Sequence, residues 1–192
     1  MASAVAIMNY QEPVMPSIDI IIAVTGGIAA FKAASLTSLL VQNDHSVQAV
    51  MTQSAQKFLG AATLMALTGR PVATELFDPA MPLGAHIELA RDAKLLCVAP
   101  ATANFLANAA NGQADDLLST LYLCFTGPVI VAPAMNVEMW NQPSVQRNIK
   151  ILRDDGVHIV DPQEGWLSCR QKGMGRMADP ETIAKTIAEH LK

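Results

Sequence analysis

The chain has 192 residues, enough for one domain with a full core and too few for two ordinary domains joined by a linker. Half of it is hydrophobic (51%), yet no run approaches the roughly 18 apolar residues that a membrane span needs. A formal charge of -4 leaves no basic footprint for nucleic acid or an anionic membrane surface, so a small ligand is the expectation.

Met1 to Ser17 has no Lys or Arg ahead of its apolar part and no continuous apolar block, which argues against a secretory leader and for a cytoplasmic protein. We set residues 1–17 apart as an N-terminal extension and read 18–192 as one domain. Cys97, Cys124 and Cys169 are far apart and include no Cys-x-x-Cys pair, so neither a disulfide framework nor a metal site is expected.

Ile18 to Val24 is a short Ile-rich run ending at Thr25-Gly26-Gly27, the pattern of a strand buried on both faces. From Ile28 to Val41 the apolar residues Ile28, Phe31, Leu36, Leu39 and Leu40 recur at helical spacing until Asn43-Asp44 stops them. A strand at Val47 to Met51, a helical stretch over Ala55 to Leu67, a strand at Leu95 to Ala99 and a helix at Thr102 to Ala110 follow. Val129 to Ala132 and Val157 to Val160 are further strands, separated by a helix from about Ser144 to Asp155 that ends at Gly156. Asp179-Pro180 starts a last helix. Strand-helix alternation of this kind predicts an α/β fold, a three-layer, doubly wound parallel sheet of Rossmann-like or flavodoxin-like type. Ligands of such sheets lie beyond the carboxyl ends of the strands, so the loops after Val24, Met51, Ala99 and Ala132 are expected to converge on the site.

Gly26-Gly27 places glycines where a helix begins, and exposed amides with the helix dipole can hold a phosphate there. The third glycine of a dinucleotide loop is missing, so a mononucleotide suits it better, while a Gly-Gly turn is equally ordinary punctuation. Thr52-Gln53-Ser54 and Thr102-Ala103-Asn104 offer hydroxyls at two more loops, and each of these is also a common helix cap. Pro133-Ala134-Met135-Asn136-Val137-Glu138-Met139-Trp140 leaves a buried strand with two methionines, an amide and an indole close together. Composition leaves open whether Met135, Met139 and Trp140 fill the core around a turn at Asn136 or line a site.

That segment resembles the Pro-x-Met-Asn-x-x-Met-Trp motif of the homo-oligomeric flavin-containing cysteine decarboxylase family. Gly26 to Lys32 resembles the family's flavin-phosphate turn, and Gly84-Ala85-His86-Ile87-Glu88-Leu89 its active-site histidine block. Ala99 to Asn104 and Asp115 to Thr120 fit as well, so the likeness runs in order from about Ile18 to the C-terminus. Ser168 to Met177 is similar to the substrate-covering flap of the branch that acts on phosphopantothenoylcysteine in coenzyme A synthesis, with Cys169 on the reactive cysteine. That branch usually has Gly and Asp next, where this chain has Arg170 and Gln171.

The resemblance implies FMN as cofactor, held by Gly26, Gly27, Ile28, Thr52 and Ser54, by Thr102, Ala103, Asn104 and Phe105, and by Ala134. It implies decarboxylation of phosphopantothenoylcysteine to phosphopantetheine, with the flavin oxidising the substrate thiol first and returning hydride at the end. His86 would be the acid/base of the oxidation, a role that suits an imidazole, and Asn136 would grip the carboxylate beside Met139. Cys169 would return a proton to the decarboxylated product, with Arg170, Lys172 and Arg176 giving the flap positive charge. His45, His158 and His190 stand in no such block and are expected to be structural or solvent-facing. Cys97 and Cys124 read as small buried hydrophobes.

The family builds its flavin sites where subunits meet, so a trimer or a multiple of trimers is expected. The chain ends at Lys192 without the ligase domain that many bacterial relatives carry, which makes a separate phosphopantothenate-cysteine ligase the expected partner. Two relatives in the family offer alternatives: a decarboxylase of peptide C-terminal cysteines, which needs an open groove in place of a flap, and a flavin-binding regulatory subunit of a protein phosphatase. A flavin prenyltransferase of similar fold lacks the Met-Asn-x-x-Met-Trp segment.

Overall fold

The structure is a computed structural model that describes residues 17–191. The expected N-terminal extension therefore lies, apart from Ser17, outside the described residues. The strands are β1 (Ile18–Val24), β2 (Val47–Met51), β3 (Ala93–Ala101), β4 (Val129–Pro133), β5 (His158–Ile159), β6 (Gln163–Trp166) and β7 (Lys172–Arg176). The helices are α1 (Ala30–Gln42), α2 (Ala61–Thr68), α3 (Ala85–Asp92), α4 (Ala103–Ala110), α5 (Leu117–Cys124), α6 (Val137–Trp140), α7 (Pro143–Asp154) and α8 (Pro180–His190).

β1 to β5 form a parallel sheet in the order β2-β1-β3-β4-β5. Strand alternation divides the side chains between two cores. Ile20, Ile22 and Val24 of β1, with Leu95, Cys97 and Ala99 of β3, face Leu36, Leu40, Leu64, Ile183 and Ile187 from α1, α2 and α8. Ile21 and Ala23, with Leu96 and Val98, face Leu89, Phe105, Leu121, Ile149 and Leu152 from α3, α4, α5 and α7. Every one of these side chains is below a tenth exposed, and each large one contributes about 1.5–3 kcal/mol by leaving water. The three-layer, doubly wound fold expected from the alternation is the one observed. Among the described residues no helix is long and apolar enough to cross a membrane.

Several boundaries differ from the expectation for physical reasons. Gly60 interrupts the stretch from Ala55 to Leu67, leaving a 3-10 turn at Ala55–Lys57 before α2. β3 runs two residues past Ala99 and β4 one past Ala132, so the site loops begin after Ala101 and Pro133. β5 holds only His158 and Ile159 of the expected Val157 to Val160, because an edge strand is paired on one side alone. Two unexpected helices cover the second face. α3 follows Gly84, whose φ of 100° suits glycine, and α5 is started by a reciprocal capping box between Asp116 and Ser119. The His158 and His190 rings lie tilted against each other, 3.8 Å between ring centres, with His158 exposed to solvent.

The sheet order reverses direction between β1 and β3, the place where such folds open a crevice. Thr25, 2% exposed, ties the two strand ends together there. Its hydroxyl donates to the Pro100 carbonyl at 2.7 Å and accepts from the Thr102 amide at 3.0 Å. Thr25→Val keeps the shape and removes both bonds, and is expected to cost about 1–3 kcal/mol in urea unfolding.

Candidate functional site

Two cavities, about 720 and 660 Å³, open at this crevice and share Gly26, Thr102, Ala103 and Met139 in their walls. The larger is bounded by Thr52 and Ser54 from the β2 loop, Asn104 and Phe105 from α4, and Asp115 to Ser119 from the start of α5. The second lies between Gly27 to Lys32 of the first loop and helix, Ala134 to Asn136, and the hairpin residues Trp166 to Cys169.

The first loop is shaped by contact with the second. A Cβ on Gly26 would lie 2.4 Å from Ser54 Cβ and 2.9 Å from the Ser54 carbonyl carbon, so only glycine lets these loops meet. Among the described residues no acceptor takes the amides of Gly26, Gly27, Ile28 or Ala29, which sit before the 13-residue α1. Four free amides at the positive end of a helix, facing a loop hydroxyl at Ser54, fit a phosphate. Thr52 and Thr102 act as caps: Thr52 Oγ1 accepts from the Ala55 amide at 3.2 Å, and Thr102 Oγ1 from Phe105 at 3.4 Å. Both still line the larger cavity, so capping and lining are one placement rather than alternatives.

The Pro133 to Trp140 segment divides its residues between two tasks. Met135 and Trp140 pack on the core cluster under α4 and α7, as filler residues would. Asn136 and Met139 line the cavities. Asn136 is the N-cap of α6, and its Oδ1 accepts from the Met139 amide at 2.8 Å. Because that end must be the oxygen, the Nδ2 amino group is left as the end that can donate to a ligand.

β6 and β7 make an antiparallel hairpin that docks on this segment. Met135 N donates to Gly175 O at 3.0 Å. A Cβ on Gly175 would lie 2.2 Å from Met135 O, and one on Gly173 would lie 3.2 Å from the Val137 side chain. Two glycines at alternate positions of β7 thus let its backbone lie directly against α6. The hairpin loop is Ser168-Cys169-Arg170, closed by Arg170 N donating to Leu167 O at 2.9 Å and Leu167 N to Gln171 O at 2.8 Å. In such a three-residue loop the last position is left-handed, and Arg170 indeed has φ 63°. The usual glycine of the flap branch suits that conformation without strain, so Arg170 keeps the loop shape at some cost. Cys169 is exposed and lines the second cavity, whereas Cys97 is buried and its thiol is pushed up to about 12. Cys124 is half-buried at the end of α5.

The foot of the hairpin is pinned by charge. Asp179 accepts from Lys32 Nζ at 3.0 Å and from both terminal nitrogens of Arg176, at 3.1 and 3.2 Å. The Lys32 hydrogen bond, reinforced by the nearby Arg176, holds the Asp179 carboxyl below its ordinary value of 3.8.

Every residue expected to hold FMN lines one cavity or the other, as do Asn136, Met139 and Cys169. His86 lines neither. It stands in the first turn of α3, half-buried, with Nδ1 buried and without a partner among the described residues. The wall residues Asn108, Asp115 and Trp166 were not foreseen as site residues, nor was Thr25 as the link between loops. The α5 wall was marked only by the fit of Asp115 to Thr120 to the family, and the Asp116-x-x-Ser119 spacing adds the physical signal of a helix start there.

Two outcomes follow from this geometry. Gly26→Ala is expected to cost about 1–3 kcal/mol in urea unfolding, and adding Ser54→Gly to recover part of it. An aspartate with a lowered folded pKa contributes stability above its ordinary range and loses it as pH falls through the lower folded value. Asp179→Asn should therefore cost more stability at about pH 6 than at about pH 2.5, measured by urea midpoints at the two values.

A sequence profile of the Flavoprotein family matches residues 9–192. The coenzyme A biosynthesis bifunctional protein CoaBC of Bacillus subtilis is 45% identical over 174 residues, 90% of this chain and 43% of that protein. CoaBC of Haemophilus influenzae is 39% identical over 171 residues, 88% of this chain and 43% of that protein. The chain thus spans about two fifths of the length of these curated relatives. Among solved structures, the FMN-dependent cysteine decarboxylase SpaF superposes with a TM-score of 0.80 at 32% identity, covering 93% of this chain and 100% of that one. A PPC decarboxylase mutant complexed with pantothenoylaminoethenethiol also gives 0.80, at 31% identity, covering 90% of this chain and 97% of that one. With a family match over nearly its whole length, the chain belongs to the Flavoprotein family.

Proposed function

We propose that the chain binds FMN and decarboxylates phosphopantothenoylcysteine to phosphopantetheine in coenzyme A synthesis. The observation that carries this reading is Asn136: its carbonyl is committed to α6, its amino group is free, and it shares the second cavity with Cys169. The PPC decarboxylase and the FMN-dependent cysteine decarboxylase among the structural relatives support the substrate and cofactor. CoaBC relatives in coenzyme A synthesis support the pathway.

The free amides before α1 and the loops of the larger cavity would hold FMN, which when bound would supply the two-electron redox chemistry at the substrate thiol and its reversal. Asn136 Nδ2 donates to the substrate carboxylate and orients the carbon-carbon bond that breaks. A neutral donor suits this task, since a cation would stabilise the carboxylate more than the transition state that loses it. The β6-β7 hairpin covers the cavity and carries Cys169, whose thiol gives a proton to the decarboxylated product. His86 acts as acid/base for the thiol. It lines neither of the two cavities described, and in this reading it serves the site of a neighbouring copy in a homo-oligomer, a trimer or a multiple of trimers by the family resemblance. The reading places the protein in the cytoplasm and calls for a phosphopantothenate-cysteine ligase upstream. The covering hairpin disfavours a peptide substrate, which needs an open groove.

Purified protein is expected to be yellow and to release carbon dioxide from phosphopantothenoylcysteine. His86→Asn and Asn136→Asp should each lower that release by about 10²-fold or more, while Cys169→Ser in air, with dissolved oxygen reoxidising the reduced flavin, keeps releasing carbon dioxide but accumulates unsaturated product. Colourless protein that takes up no FMN overturns the reading. Normal saturated product from Cys169→Ser removes the proton-donor role alone.

A further inference from the structure

We propose that Arg176 is a positioning residue that latches the hairpin over the second cavity and so keeps Cys169 where the substrate needs its proton. The proposal rests on the decarboxylase reading above and adds to it a residue that acts through Cys169.

One guanidinium joins three elements. Arg176 stands at the end of β7, and its Nη2 donates to Gln163 Oε1 on β6 at 2.6 Å. The same group makes the two bonds to Asp179 at the start of α8. Asp179 is in the N-cap position of α8, yet its side chain caps nothing there. The carboxylate is instead shared between Arg176 and Lys32, and Lys32 also donates to the Met177 carbonyl at 3.1 Å. Lys32 lies on α1, just past the free amides of the first loop, and its side chain is only 15% exposed. The foot of the hairpin is therefore tied to the helix that begins at the cofactor turn.

Gly165 on β6 makes room for the latch. A Cβ there would lie 2.6 Å from Arg176 Cδ and 2.7 Å from Nε, so a side chain at this position displaces the arginine. The tip of the hairpin contrasts with its foot: Ser168, Cys169, Arg170, Gln171 and Lys172 are all exposed. Holding the tip over the cavity thus depends on the backbone contact of Gly175 with Met135 and on the Arg176 ties at the foot.

The latch matters for one step more than for the others. Converting the decarboxylated ene-thiol to the saturated thiol adds one hydride and one proton. The hydride comes from the flavin reduced when the substrate thiol was oxidised, and the proton from Cys169, which regains one from solvent. A loose hairpin leaves oxidation and carbon dioxide loss less affected than this return of the proton, and the ene-thiol escapes, leaving a reduced flavin that dissolved oxygen reoxidises before the next turnover.

Arg170 and Lys172 make the tip a trypsin site, so latching is readable without turnover. In protein with and without FMN, Arg176→Ala is expected to raise cleavage after Arg170 and Lys172 about tenfold, with Arg176→Lys in between because it keeps an Asp179 pair. In the assay, the ratio of saturated product to carbon dioxide should fall about fivefold or more in Arg176→Ala, partly restored in Arg176→Lys. Unchanged cleavage and an unchanged product ratio overturn the proposal, as does an equal loss of both products with no change in cleavage. If Arg176→Ala does not fold, Gln163→Ala, which removes only the tie to β6, decides by the same two readouts. Wild-type protein that releases no carbon dioxide sinks the decarboxylase reading, while the cleavage rates still judge the latch.

Discussion

The site depends on one buried hydroxyl. Thr25 stands at the point where the parallel sheet changes direction, and there the two central strands would splay to open their crevice. Its hydroxyl bonds the Pro100 carbonyl and the Thr102 amide, so the end of β1 and the start of α4 move as one piece. Both cavities are built against that piece, since Gly26 and Thr102 belong to each. In the proposed reading, cofactor and substrate would meet where these cavities join, because hydride transfer needs their reacting atoms in direct contact.

Around this wall the backbone is brought unusually close by glycines. Gly26 lets the first loop touch the Ser54 loop, and Gly173 and Gly175 let β7 lie on α6. The consequence is a division of labour along Pro133 to Trp140. Trp140 packs on the core, Met135 both packs on it and lines the second cavity, Asn136 commits its oxygen to α6, and its amino group and the Met139 side chain are left toward the cavity. The positions of chemistry are set by neighbours that do none.

The sheet was legible because strands buried on both faces read as apolar runs, and Ile18 to Val24 is such a run at its clearest. The helix of α1 was legible for the matching reason, its apolar positions recurring every three or four residues. α3 and α5 were not singled out as helices, although α4 of the same eight-residue length was. The hairpin escaped because Gln163-Glu164-Gly165-Trp166 and Lys172-Gly173-Met174-Gly175-Arg176 carry no apolar alternation; backbone contact, which leaves only glycines as its trace, holds it in place. In the site, Asn136, Cys169 and the flavin loops were found through motif likeness and are brought together by the fold. His86 was singled out by the same likeness, yet it lines neither of the two cavities described. The ties of Lys32, Asp179 and Arg176 link residues up to 147 positions apart, and sequence pattern does not reach that far.

The central claim is that the two cavities joined at Gly26 and Thr102 are one site, in which the flavin runs from the free amides before α1 into the larger cavity and the cysteine end of the substrate meets it beside Asn136. A crystal structure of the protein with FMN and the serine analogue of phosphopantothenoylcysteine, whose hydroxyl in place of the thiol leaves the carboxylate uncleaved, tests it most directly. The account predicts the flavin phosphate at the amides of Gly26 to Ala29 and the substrate carboxylate on Asn136 Nδ2. Flavin bound away from these loops, or a carboxylate held by a different group with Asn136 left idle, would contradict it.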